Sequence, residues 1–170
     1  NLALYQALNG RDVLFVDADA QSSATQFMEW RSEHSKDKNL TFIQLQGKSV
    51  RDEVLKLKHK FDDIIIDAGG GMRDSQKYAL LVADKYIVPF PASGPDIWTF
   101  DDVQKTVTEA TVYNENLLSY TFLMRAFSTG KENNEASNVL QESKILKYIN
   151  APVVNRKIFS QCITEGYSIF

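Results

Sequence analysis

At 170 residues the chain is one domain's worth, long enough to bury a sizeable core, and its 44% hydrophobic content is that of an ordinary globular protein. A net charge of −3 excludes a global attraction to nucleic acid or membrane, so any such contact needs a local basic patch. The single cysteine, Cys162, excludes a disulfide framework and fits a reducing cytosol as an inert thiol, and no apolar run approaches the length of a membrane span.

Residues 1–9 read as the back end of a helix, closed by Asn9-Gly10. The run Val13-Leu-Phe-Val16 is apolar on both faces, as a strand covered on both sides of a parallel sheet would be. It ends in Asp17 and Asp19, followed by Gln21, Ser22 and Ser23. Acids at the carboxyl end of such a strand lie where open α/β sheets bind their ligands. Two carboxylates at i and i+2 can both reach a hydrated Mg²⁺ or an attacking water, which suits phosphate chemistry. A turn with solvated acids is the competing reading of this stretch alone. Ser23 to His34 reads as a helix with Ala24, Phe27 and Met28 on one face, then a polar loop at 35–39 and a strand from Leu40 to Leu45. Ser49 and Asp52 predict a capping box for a helix to about Lys60, with Val50, Val54, Leu57 and Phe61 as its core stripe. Lys56, Lys58, His59 and Lys60 read as a solvated face rather than a DNA site.

Phe61 to Ile66 is a second apolar strand, ending in Asp67 and running into Gly69, Gly70 and Gly71. It has the form of a Walker-B strand, whose terminal Asp holds Mg²⁺, often through water. Glycines there let a backbone amide approach a terminal phosphate. The two acid-tipped strands together are more specific than either alone. Asp74 to Ala83 reads as a helix and Tyr86 to Phe90 as a strand that Pro89, Pro91 and Pro95 bring to an end. Asp96 to Tyr113 is a long helical stretch, with Trp98 and Phe100 as core or dimer surface. Tyr120 to Ala126 is a buried strand, Ser128 to Asn134 a loop, and Ala136 to Ile149 a helix with Val139, Leu140, Ile145 and Ile149 apolar. Pro152 to Val154 is a short last strand. No repeat or low-complexity tract interrupts this order. The alternation predicts an α/β fold, a doubly wound and mainly parallel sheet with helices on both faces.

Asn1-Leu-Ala-Leu, Gly10 and the D-x-D-x-Q of Asp17, Asp19 and Gln21 resemble the ParA/Soj-type partition ATPases, a deviant Walker-A group related to MinD. Their usual pattern is an "NLA" helix, a glycine turn and a strand ending in D-x-D-P-Q. Asp67-Ala-Gly-Gly resembles their Walker B and switch II, and Lys85 to Asp96 their next strand with its proline-rich exit. Val153 to Phe170, with Arg156 and the ending Gly166-Tyr-Ser-Ile-Phe, resembles their late G-x-S-V-F segment. The resemblance runs through nearly the whole chain in order. Ala20 stands where the family usually has Pro, which alters the stiffness of the loop and removes none of the chemistry. The family's phosphate-binding loop, K-G-G-x-x-K-S/T, precedes the "NLA" helix. These residues do not contain it, and Gly69, Gly70 and Gly71 lack the following Lys and Ser/Thr that would replace it. Residues 1–170 are therefore expected to form a single partial nucleotide-binding domain of this type, truncated at the N-terminus and at the C-terminus, P-loop NTPase-like with the first strand absent. Such a piece would expose unpaired strand edges, and is expected to be unstable alone and not the complete catalyst.

The resemblance implies ATP and Mg²⁺ held between two protomers and slow hydrolysis by the resulting homodimer. Asp19 would position or polarise the attacking water, Asp17 would support Mg²⁺ through the loop's Ser/Thr, and Asp67 would hold the Mg²⁺ shell. Gly69 and Gly70 would sense the γ-phosphate as switch II, with Gln21 in the other switch; simple turn chemistry is the alternative for these three. The family also binds DNA without sequence preference through basic residues near its C-terminal end, for which Arg156, Lys157, Lys144 and Lys147 are the local candidates, against solvated surface charges. A centromere-binding partner that stimulates hydrolysis and a cytoplasmic, nucleoid-associated location are implied as well. The reading is a DNA segregation ATPase of plasmid or chromosome. Its rivals are a MinD-like ATPase docked on membrane by a C-terminal amphipathic helix, and a non-catalytic scaffold without the loop. The presence of Asp17, Asp19 and Asp67 together speaks against the scaffold. A flavodoxin-like or receiver-like domain explains the D-x-D-x-Q and the later glycines less well.

Overall fold

The computed structural model describes residues 1–34, 39–69, 74–92, 99–129 and 131–170. The polar loop at 35–38, Gly70 and Gly71, and the stretch with Pro95, Asp96 and Trp98 lie outside the described residues. The strands are β1 (Val13–Asp17), β2 (Leu40–Gln44), β3 (Asp63–Asp67), β4 (Lys85–Pro91), β5 (Leu118–Ala126), β6 (Lys147–Tyr148) and β7 (Val153–Val154). The helices are α1 (Leu2–Leu8), α2 (Ser23–His34), α3 (Lys48–Leu57), α4 (Asp74–Leu80), α5 (Phe100–Thr111), α6 (Lys131–Gln141) and α7 (Lys157–Glu165). They fall into two compact units, Asn1–Val82 with Ile158–Phe170, and Ala83–Lys157.

In the first unit β1 is the middle strand of a parallel sheet ordered β2-β1-β3. Val13, Leu14 and Val16 have no exposed surface, as a central parallel strand covered on both faces requires. Val54 of α3 packs on Leu14 and Val16, with Leu57, Phe61, Ile64 and Ile66 around them. Val50 meets Ala18 and Ala79 of α4. At the amino end Arg11 grips Asp63 and donates to the Asp62 carbonyl at 3.1 Å, while the Asp12 amide donates to the Asp62 carboxylate at 2.9 Å. These bonds pin the register of β1 on β3.

One local expectation fails here. The Ser49–Asp52 capping box does not form, because Gly47, at φ +54°, takes the N-cap and puts Ser49 inside the first turn. The Ser49 hydroxyl turns back to Gln46, donating to its carbonyl at 2.7 Å and accepting from its amide at 3.1 Å. Asp52 instead pairs with Arg51 at 3.2 Å. The helix stops at Leu57, short of Lys60.

In the second unit β4 and β5 run parallel from Lys85 opposite Leu118 to Pro91 opposite Met124, and β6 and β7 also pair with β5. Pro89 lies inside β4 rather than ending it, and Pro91 is the last residue of the strand. β4 pairs with β5 alone in this sheet, and an edge strand can spare the N–H that proline lacks. The core gathers Phe90, Phe100, Val107, Leu123, Leu140 and Leu146. Phe100 is core, meeting Phe90 edge-on with centroids 5.2 Å apart.

Two boundaries move. α6 begins at Lys131, inside the expected loop, where the Asn133 side chain accepts from the Phe127 amide at 3.0 Å and donates to its carbonyl at 2.7 Å. It ends at Gln141, not Ile149. The Ser143 hydroxyl accepts from the amides of Ile145 and Leu146 at 3.2 and 3.0 Å, breaking the helix. Leu146 then drops into the core while Ile145 and Ile149 stay outside, and Lys147–Tyr148 joins the sheet. Among the described residues no helix is long and apolar enough to cross a membrane.

Candidate functional site

The parallel register of β1 and β3 sets Asp17 opposite Asp67, and the Ala18 amide donates to the Asp67 carbonyl at 2.7 Å. Both strands therefore end level, with their acids at one edge. The three aspartates nevertheless sit in different surroundings. Asp17 is fully buried. Its Oδ2 accepts from the Thr25 amide at 2.8 Å and the Thr25 hydroxyl at 2.6 Å, and its Oδ1 from the Asp19 amide at 3.1 Å. It ties the end of β1 to the first turn of α2, where it satisfies an N–H that has no partner within the helix.

Asp19 is half-buried, and its Oδ1 accepts from the Gln21 amide at 3.1 Å. Its carboxyl group lies against Gly69, which has φ +66°. Asp67 is exposed, and the Gly69 amide reaches its Oδ1 at 3.4 Å. Gly69 thus touches both carboxylates, its backbone packed on that of Asp19 and its amide reaching that of Asp67. Gln21 lies exposed in the turn between β1 and α2.

Two residues on α2 carried no expectation from sequence. Thr25 is read only once the buried Asp17 is seen to need donors. Arg31 continues the Ala24, Phe27 and Met28 face at helical spacing, yet it is buried at 6% exposure, where a charged residue is expected outside. The periodicity was the available signal.

Asp19 and Asp67 supply oxygen ligands of the kind a hard cation such as Mg²⁺ takes, and Mg²⁺ keeps several waters when held by one or two carboxylates. The backbone at Gly69 packs directly on the Asp19 carboxyl group, with no room between them for a side chain. These carboxylates fit the Mg²⁺ that the sequence suggests.

The four basic candidates do not form one patch. Asn155, next to Arg156 and Lys157, donates its amide to the Ala126 carbonyl at 3.0 Å, at the carboxyl end of β5. Lys147 lies opposite Tyr120, near the amino end of the same strand, and Lys144 precedes it. The length of strand between these two levels is about 20 Å.

No family model matches the chain, and no curated protein matches its sequence. Among solved structures it is similar to apo McdA from Cyanothece, at 17% identity over 96% of this chain and 82% of that one, with a TM-score of 0.79. It is similar to a plasmid partition protein from Borrelia burgdorferi bound to AMPPNP, at 18% identity over 99% of this chain and 83% of that one, with a TM-score of 0.78. The septum site-determining protein MinD of Pyrococcus horikoshii, complexed with Mg-ADP, gives 16% identity over 98% of this chain and 78% of that one, with a TM-score of 0.62. Identities of this size speak to the fold alone: the chain has the α/β fold of these three proteins.

Proposed function

We propose that the chain carries the Mg²⁺- and phosphate-facing edge of a ParA-type positioning ATPase that segregates DNA. The observation that carries this reading is the meeting of Asp19, Gly69 and Asp67 at the ends of two level parallel strands. Mg²⁺, when bound, supplies charge neutralisation for the transferring phosphoryl group. Asp67, exposed at its strand end, holds the metal's water shell. Asp19 orients the attacking water, for which position matters more than basicity. Asp17 acts at one remove, fixing the Asp19 amide and the start of α2. Gly69 and Gly70 let backbone follow the terminal phosphate, and Gln21 lines the facing turn. In this reading the active species is an ATP-bound homodimer on non-specific DNA, associated with the nucleoid and stimulated by a centromere-binding partner.

A DNA-based reading is preferred to a membrane-docked one because the likeness to two plasmid partition proteins of Borrelia burgdorferi, at TM-scores of 0.78 and 0.69, exceeds that to MinD at 0.62. The test is ATP turnover by the full-length protein with and without duplex DNA. Weak turnover that DNA raises and Asp19→Ala abolishes supports the proposal. A full-length protein that binds no nucleotide overturns it and leaves a scaffold.

A further inference from the structure

Ser22 joins the turn of the two acids to α2 in a conformation that its residue type disfavours. Its φ of +54° lies in the left-handed region, which a serine enters at a cost and keeps where its surroundings hold it. The Ser22 amide donates to the Asp19 carbonyl at 3.1 Å, and the Ser22 carbonyl accepts from the Gln26 amide at 3.2 Å. The first bond closes the turn from Asp19 to Ser22, and the second opens α2. Both are made within one short run of chain. A third contact comes from another strand: Nε2 of Gln44, the last residue of β2, donates to the Ser22 hydroxyl. The register explains why Gln44 can reach. It lies opposite Asp17 across the parallel pair, and the Leu45 amide donates to the Asp17 carbonyl at 3.0 Å. Level residues of neighbouring strands project to the same face of a sheet. Asp17 therefore meets α2 at Thr25, and Gln44 meets the residue just before α2 from the same side.

We propose that Gln44 is a positioning residue, which holds Ser22 in its left-handed conformation and thereby sets the turn that carries Asp19 and Gln21. The Gln21 amide donates to the Asp19 carboxylate at 3.1 Å inside that turn. A Ser22 released to an ordinary φ would send the chain into α2 at another angle, and the turn would shift with it. Asp17 and Gln44 divide the work between them. Asp17 is fully buried and holds the helix to the strand, whereas Gln44 is exposed. Its bond sets the path of a surface turn and adds little to the stability of the fold. Its service to hydrolysis rests on the ATPase reading above; its hold on the turn does not. A residue that orients water acts through its position, so loss of the hold falls on the rate of the bound complex rather than on affinity.

The test compares the full-length protein with Gln44→Ala, Ser22→Gly and the double variant, by ATP turnover in Mg²⁺, chemical denaturation and amide hydrogen exchange. Gln44→Ala is expected to lower kcat by about tenfold, with KM and the denaturation midpoint nearly unchanged. Exchange at the Ser22 amide should quicken while the amides of β1 and β2 keep their protection. Glycine takes φ +54° without strain and needs no tether there. The double variant should therefore turn over faster than Gln44→Ala and as fast as Ser22→Gly alone, a rescue that a general defect at Gln44 would not show. If Gln44→Ala does not fold, Ser22→Ala replaces it, because it removes the same bond from the other side. Wild-type kcat in Gln44→Ala overturns the positioning role. A loss that Ser22→Gly fails to relieve overturns it as well, since the loss then does not pass through Ser22. A wild-type protein that binds no nucleotide overturns the ATPase reading instead. Exchange at the Ser22 amide then decides the hold, and exchange unchanged by Gln44→Ala overturns it.

Discussion

A Cβ added to Gly69 would lie 2.5 Å from the Asp19 carboxyl carbon, so these two residues share one volume across the ends of β1 and β3. Gly69→Ala therefore asks for two things at once. The backbone at φ +66° is strained for any side chain, by about 1–2 kcal/mol, and Asp19 must move aside. ATP turnover of the full-length variant is expected to fall to near the level of Asp19→Ala, with a melting temperature lower by only a few degrees. Turnover equal to wild type would separate Asp19 from the chemistry.

The two acids of the first loop should give opposite phenotypes. Asp17→Asn replaces a buried oxygen that accepts two donors with a group that donates. Each lost hydrogen bond to a charged acceptor is worth about 1.5–3 kcal/mol, so unfolding by denaturant should shift by several kcal/mol. Asp19→Asn removes one half-buried acceptor in a turn, and is expected to leave the denaturation midpoint nearly in place while turnover collapses. Equal stability of the two variants would refute this division.

The second unit carries a core defect that a conservative change can repair. The Thr121 hydroxyl on β5 is fully buried and has no hydrogen-bond partner among the described residues. Thr121→Val keeps the shape and removes the unpaired group, and should stabilise the protein by about 1 kcal/mol in chemical denaturation. A loss of stability would mean that the hydroxyl is satisfied in solution.

DNA binding, if the partition reading holds, should distinguish the two basic pairs. Arg156 and Lys157 follow β7, where Val154 is level with the end of β5, and Lys144 and Lys147 lie toward its other end. Neutralising Arg156 with Lys157 is expected to weaken binding and lower the slope of log affinity against log salt by about 2. The Lys144 with Lys147 double variant should leave that slope unchanged. Equal effects from both pairs would place the duplex along the whole length of the sheet.

β1 was legible in the sequence because it is a run apolar on both faces, as a central parallel strand requires, whereas β3, at the edge of the described three-stranded sheet, keeps its apolar run only half-buried. α2 was legible from the helical spacing of Ala24, Phe27 and Met28, all half-buried. What periodicity misread were places where a hydroxyl or a glycine redirects the chain. Ser143 stopped α6 by taking two amides that a longer helix would have used, and an apolar pattern through Ile149 gave no warning. Gly47 displaced Ser49 from the cap position by one φ angle. The contact between Gly69 and Asp19 was hidden because it joins residues from separate strands, and only the register of β1 on β3 brings them together.

Asp17 has a further consequence for comparing this chain with its relatives. Because its carboxylate splices a strand to a helix, selection for folding alone would keep it. A protein of this fold that had lost all catalysis would still be expected to carry the first aspartate of the pair. Asp19 accepts from the Gln21 amide within its own turn and splices no helix to the strand. The second aspartate, rather than the first, is therefore the residue whose loss in a relative would mark a retired enzyme.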